Sequence, residues 1–376
     1  MFPPSKFQLS GLVSSHPTQE EAAHLINMTE SSITPRSIHE LGLTVPTDLP
    51  LEHGREKGLE GICGMLAKRY NVDVDEILLT VGASSGIYFV QTALLSPGDH
   101  LVIMRPNYPL NIEGARTTGC DISCVDIEFS NGFRVQVDRI AAAVRPETKL
   151  ISICNPNNPV GTVMPTEQLQ ELADVAKRNN CFLLVDETYG ELLYDGLMPT
   201  AAKLGPHVIS VSSMSKTWGV SGLRVGWITT TNKQLMDTFV AAKQVISITA
   251  GVLDETLCEQ ILAKAEELHP PIIAELKRRR DIVDNWVKTE SDLIEWIAPV
   301  AGATAFVRMK KDPPGGKAAF YERLRGIHKI AVIPGHCFEQ SDEFFRLGFG
   351  YPPAEQVEKG LEGISKALRG QMYCDT

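Results

Sequence analysis

The chain has 376 residues, 43% of them apolar and 22% charged, with a formal charge of −10. A net acidic surface repels a phosphate backbone, which excludes nucleic acid as the main partner. No run approaches the roughly 18 uninterrupted apolar residues that a membrane span needs.

At about 150 residues per domain, the length predicts two or three domains. The start of the chain, MFPPSKFQLSGLVSSHPTQEE, is too polar for a secretory leader, so the expected location is cytoplasmic. Eight cysteines include no C-x-x-C pair, and no histidine stands at ligand spacing from Cys120 and Cys124. Buried or half-buried free thiols are expected there, with no metal site.

Residues 1–50 are proline-rich and aperiodic, and read as an arm with connecting segments. Six short apolar runs follow: Ile77–Val81, Leu101–Met104, Leu150–Cys154, Phe182–Val185, Val208–Val211 and Val225–Thr229. Each is long enough for a strand and too short for a helix, and unbroken apolar character predicts burial on both faces. Amphipathic stretches lie between them. In Thr166–Arg178, Leu169, Leu172, Ala173 and Ala176 recur at helical spacing behind Thr166 as the expected N-cap.

The expected fold class is therefore α/β, a mostly parallel sheet with helices on both faces over residues 52–245. Residues 1–51 and 246–376 would supply the arm and a smaller α+β domain. In the latter, 254–288 reads as a long helix interrupted at Pro270-Pro271, and 353–369 as another. The stretch 296–350 alternates strand-like and turn-like pieces around DPPGG at 312–316, and Lys277-Arg278-Arg279-Arg280 reads as a solvated helix face.

Ligands of such sheets sit at the carboxyl ends of the strands. After the first run comes Gly82-Ala83-Ser84-Ser85-Gly86, a small-residue turn opening a helix and so a natural anion site. Asn155-Pro156-Asn157-Asn158-Pro159-Val160-Gly161 follows the third run, exposing amide side chains on a turning backbone. Asp186-Glu187-Thr188-Tyr189 follows the fourth, where a carboxylate in low dielectric calls for a cationic partner. Ser212-Ser213-Met214-Ser215-Lys216 ends the fifth, placing an amine where it could act as a nucleophile.

Asn158, Asp186, Lys216 and Arg224 follow one another at intervals of 28, 30 and 8 residues. That order and the segments NPNNPVG, VDETYGELLYDG and SSMSKTWGVSGLRVGW closely resemble the class I/II aminotransferases, a family of fold-type-I pyridoxal-phosphate enzymes. The resemblance extends from about residue 50 to 350. It implies pyridoxal 5′-phosphate as cofactor and an aspartate-aminotransferase-like large domain. Lys216 would form an imine (Schiff base) with the cofactor and then move a proton from Cα through a quinonoid carbanion. Asp186 would pair with the ring nitrogen. Asn158 and Tyr189 would bond the phenolic oxygen, Tyr108 would stack on the ring, and Ala83, Ser84, Ser213 and Arg224 would hold the phosphate.

On the substrate side, the resemblance assigns Arg346, in FFRLGFG, to the α-carboxylate. Relatives carry a tyrosine five residues before Gly58, which reaches the phosphate of a neighbouring subunit. His53 stands there, able to donate to a phosphate or to act as an acid/base near the substrate. The segment Asn27–Ser37 falls where relatives run past the substrate, making Glu30 and Ser31 candidates for specificity. A carboxylate at that place favours a substrate with a distal cation.

The implied function is transamination of an L-amino acid by a homodimer. The alternative is a lyase or cyclase on the same fold, by elimination, ring closure or racemisation, as in capreomycidine-synthase-like enzymes and aminocyclopropane-carboxylate synthases. A third possibility is a non-catalytic relative that senses amino acids.

Overall fold

The computed structural model describes residue 11 and residues 15–372. Its strands are β1 (Ile26–Asn27), β2 (Ile77–Val81), β3 (His100–Arg105), β4 (Asp121–Asp126), β5 (Thr148–Cys154), β6 (Phe182–Asp186), β7 (Val208–Ser213), β8 (Val225–Thr229), β9 (Ile294–Trp296), β10 (Thr304–Met309), β11 (Ile330–Ala331), β12 (Ile333–Pro334) and β13 (Phe344–Gly348).

Seven strands form one sheet in the order β2-β8-β7-β6-β5-β3-β4. Only β8 runs against its neighbours; the other pairs are parallel. Successive side chains alternate faces along each strand. Leu101, Ile103, Leu184 and Ile209 pack on one side with Ile87, Val90 and Phe239 from helices Gly82–Leu94 and Lys233–Ile246. Val102, Ile151, Leu183 and Val185 pack on the other with Leu169, Leu172 and Val175 of helix Thr166–Arg178. Burial of both faces is what the unbroken apolar runs record.

Four places depart from the sequence reading. The edge strand β4 (DISCVD) was missed, because an edge needs little apolar character and only Val125 of it is buried. Helix Thr166–Arg178 is capped by Pro165, with Thr166 as its first residue. The long helix breaks at Lys264 rather than at the prolines, and Ala265–Thr289 runs through Pro270 and Pro271. Proline lacks the helical N–H, but burial of Ile272, Leu276, Val283 and Val287 carries the helix onward. A further helix, Gly316–Gly326, follows the DPPGG turn.

The smaller layer is an antiparallel sheet, β12-β13-β10-β9, sharing its core with helices from the C-terminal part of the chain. Residues 26–36 thread between this layer and the large sheet. β1 lies parallel to β11, and Gly348 N–H donates to the Met28 carbonyl at 2.7 Å. Ile33 N–H reaches the Lys216 carbonyl at 3.3 Å and Arg36 N–H the Gly219 carbonyl at 3.0 Å.

Arg279, expected in solvent, is buried. Its Nη1 donates to the carbonyls of Gly350 and Pro352, both at 2.7 Å, and to Thr34 Oγ1 at 3.2 Å. Buried carbonyls at the end of the arm need donors, and a guanidinium supplies several at once. The seven described cysteines are free thiols, buried or half-buried; Cys374 lies outside the described residues. Among the described residues no helix is long and apolar enough to cross a membrane.

Candidate active site

The carboxyl ends of β2, β5, β6 and β7 open on one cavity. Its lining includes all nine residues assigned to the cofactor from sequence: Ala83, Ser84, Tyr108, Asn158, Asp186, Tyr189, Ser213, Lys216 and Arg224. Ile87, Thr188, Ser215 and Ser221 complete it.

At one end, helix Gly82–Leu94 starts directly after β2, and Ala83 and Ser84 of its first turn line the cavity. Gly82 has φ +74°, and a Cβ there would stand 2.6 Å from Arg224 Nη2. Arg224 adopts a left-handed conformation that folds its guanidinium back, with Nη1 donating to the Ser221 carbonyl at 3.0 Å. Ser84 and Ser213 add hydroxyls to this end. A helix start, a guanidinium and several hydroxyls make this end a dianion site, of the kind a phosphate monoester fills.

Asp186 ends β6 on the cavity side and is held on both oxygens. Oδ1 accepts from Thr188 N–H at 3.1 Å and Thr188 Oγ1 at 2.6 Å, and Oδ2 accepts from Asn111 Nδ2 at 3.1 Å. Its neighbour Glu187 points the other way. Its Oε1 accepts from Ala201 N–H at 2.6 Å and Ser210 Oγ at 2.9 Å, and burial pushes its pKa up to about 7.

Lys216 follows β7 on a buried loop. Its Nζ donates to Ser31 Oγ at 3.0 Å. Burial pushes its pKa down to about 8, against the opposing charge of Glu30 and with help from Arg346 and Arg224. An amine so placed is uncharged in a useful fraction near neutral pH, as a nucleophile or base requires. In the protein without cofactor, acylation of Lys216 should rise through a midpoint near 8 rather than the ordinary 10.5. Peptide mass spectrometry across a pH series measures this, and an ordinary midpoint would remove the electrostatic argument.

Arg346 arrives from the centre of β13, between Ile333 of β12 and Phe306 of β10. It is fully buried. Nη1 donates to Asn158 Oδ1 at 3.0 Å and Nη2 to the Thr29 carbonyl at 2.5 Å, while Nε has no partner. A buried guanidinium with an idle N–H is costly unless a ligand takes it, and a carboxylate is the group that does so side-on.

Two hydrogen-bonded pairs, Arg346 with Asn158 and Lys216 with Ser31, thus meet at the cavity, and the charge of half-buried Glu30 acts on both Lys216 and Arg346. His53 is exposed and absent from the cavity of its own chain. The sequence reading missed Thr188 and Asn111. The second carried a signal, since Asn107 and Asn111 stand four residues apart on either side of Tyr108, and Asn111 Nδ2 also reaches Asn107 Oδ1 at 2.9 Å.

The chain belongs to the aminotransferase class I and II family, whose profile matches residues 57–364. Among curated relatives, arginine–pyruvate transaminase of Pseudomonas aeruginosa is 28% identical over 80% of this chain and 77% of that protein. Capreomycidine synthase of Streptomyces vinaceus is 28% identical over 87% of this chain and 84% of its own length. Among solved structures, a PLP-dependent aminotransferase from Streptococcus suis superposes with a TM-score of 0.87 at 28% identity, covering 99% of this chain and 100% of that one.

Proposed function

We propose that the protein is a pyridoxal-phosphate-dependent aminotransferase that exchanges the amino group of an L-amino acid with an oxo acid. The observation that carries this reading is the half-buried Lys216 amine in one cavity with the Asp186 carboxylate and the start of helix Gly82–Leu94. These residues fit the cofactor. The Gly82 turn, Ser84, Ser213 and Arg224 suit its phosphate, and Asp186, fixed by Thr188 and Asn111, suits a protonated ring nitrogen. When bound, the cofactor supplies an aldehyde that receives the amino group and a ring that draws electrons from the substrate Cα.

Arg346 takes the α-carboxylate through its idle Nε and so sets which Cα bond faces Lys216. Lys216 takes the Cα proton and returns it one atom away. Asn158 spends its Oδ1 on Arg346, which leaves its amide N–H for the ring oxygen beside Tyr189. Tyr108 walls the ring face.

Glu30 supports a substrate with a distal amine or guanidinium, consistent with the named substrate of the Pseudomonas relative. Glu30→Gln should lower kcat/KM for arginine or lysine about fivefold against that for alanine or leucine, a charge partner of this exposure contributing roughly 1 kcal/mol. An unchanged ratio removes Glu30 from specificity. The likeness to capreomycidine synthase favours a second reading, ring closure of the same class of substrate. A panel of amino acids separates the two. Stoichiometric conversion of bound cofactor to its amine form, reversed by an oxo acid, is transamination. Turnover without an acceptor is the second chemistry.

We also propose a homodimer. Leu51 is 85% exposed, Val245 88%, Ile246 52% and Ile248 53%. The two segments adjoin, since a Cβ on Gly54 would meet Val252 Cγ1 at 3.2 Å and Lys243 Nζ donates to the Glu56 carbonyl at 2.7 Å. An apolar patch of this kind calls for a cover. His53 shares that face and would reach the phosphate end of the second copy's cofactor, where Arg224 is exposed. Val245→Glu with Ile248→Glu should convert the dimer to monomer in light scattering; a wild-type monomer would contradict the proposal.

A further inference from the structure

Ser31 sits on the arm, far in sequence from the cavity, and is buried with 5% exposure. Its place is over-determined. On one side the Thr29 carbonyl accepts from Arg346 Nη2 at 2.5 Å, and on the other Ile33 N–H donates to the carbonyl of Lys216 itself at 3.3 Å. Arg279 ties down Thr34 beyond that. The hydroxyl meets the lysine directly: Lys216 Nζ donates to Ser31 Oγ at 3.0 Å.

A serine hydroxyl has one proton to give. In the contact with Lys216 the amine is the donor and Ser31 Oγ the acceptor, so the hydroxyl proton is turned away from the lysine. A neutral amine that donates one N–H to Ser31 keeps its lone pair unspent. Were the hydroxyl free to turn, its proton would bond that lone pair and blunt the base.

We propose that Ser31 is a positioning residue for the proton transfer, holding the freed Lys216 amine by one N–H so that its lone pair faces the substrate Cα. This rests on the assignment of Lys216 as the proton-moving base. It differs from a role for Ser31 in substrate selection, because the contact is to the lysine.

Two measurements test it. In cofactor-free protein, the pH midpoint of Lys216 acylation should fall by about half to one pH unit in Ser31→Ala, since a hydrogen bond to an acceptor favours the charged amine. Ser31→Thr, which keeps the hydroxyl, should restore the midpoint. In cofactor-loaded protein, exchange of the substrate Cα hydrogen with solvent deuterium should slow about tenfold in Ser31→Ala, with KM for the amino acid within twofold of wild type, and recover in Ser31→Thr. A midpoint and an exchange rate both unmoved by Ser31→Ala would overturn the proposal. So would a raised KM with an unchanged exchange rate at saturation, which marks a substrate contact. Failure of wild-type protein to take up the cofactor would sink the functional reading instead, and the acylation arm would still decide on Ser31.

Discussion

Lys216→Ala should leave a folded protein with turnover lower by at least about a thousandfold, because the substitution deletes the group proposed as both covalent anchor and base. Folding should survive. The side chain is a half-buried amine whose described hydrogen bond is the one to Ser31, and removing it relieves a desolvation cost while enlarging a cavity already open to ligand. Cofactor should still bind through the phosphate end and Asp186, though reversibly. Circular dichroism, cofactor retention after gel filtration and single-turnover rates measure the three parts. Turnover within tenfold of wild type would mean that another group performs the proton transfer.

Arg346→Ala should lower kcat/KM by about 2–5 kcal/mol, roughly thirtyfold to several thousandfold, the loss for a buried charge partner of a carboxylate. The size follows from burial, which removes water as a competitor for the guanidinium. Arg346→Lys should recover little, since an ammonium cannot offer the fork that reaches Asn158, Thr29 and a carboxylate together. The control is an α-carboxamide analogue of the amino acid. Its already low rate should change little in Arg346→Ala, because it lacks the carboxylate proposed for the arginine. An equal loss on the acid and the amide would mean that Arg346 acts only by bracing the arm through the Thr29 carbonyl.

Legibility in the sequence followed burial. Strands covered on both faces announce themselves as unbroken apolar runs, so β2, β3, β5, β6, β7 and β8 could be placed from sequence within two residues. The edge strand β4 is half-exposed and carries no such signature. The two prolines near the start of Ala265–Thr289 misled, because local chemistry says break while a buried apolar stripe says continue. Arg279 misled for a similar reason, as charge alone cannot reveal that backbone carbonyls await it.

The site splits along the same line. Residues at strand ends sit next to recognisable runs, so Asn158, Asp186 and Lys216 were readable one loop at a time. Ser31 and Arg346 come from the arm and the smaller sheet, and only tertiary folding carries them to Lys216. A resemblance could nominate them, but nothing local could say that Ser31 touches the lysine rather than the substrate. Thr188 was quoted with its motif and overlooked, because a hydroxyl two residues after a carboxylate reads as an ordinary turn until the carboxylate is known to face a cavity.

The account stands or falls on which amine meets the cofactor. Loading the wild-type protein with pyridoxal 5′-phosphate, reducing with borohydride and mapping the modified peptide should place one phosphopyridoxyl group per chain on Lys216. Modification spread over surface lysines, or none at all, would contradict it.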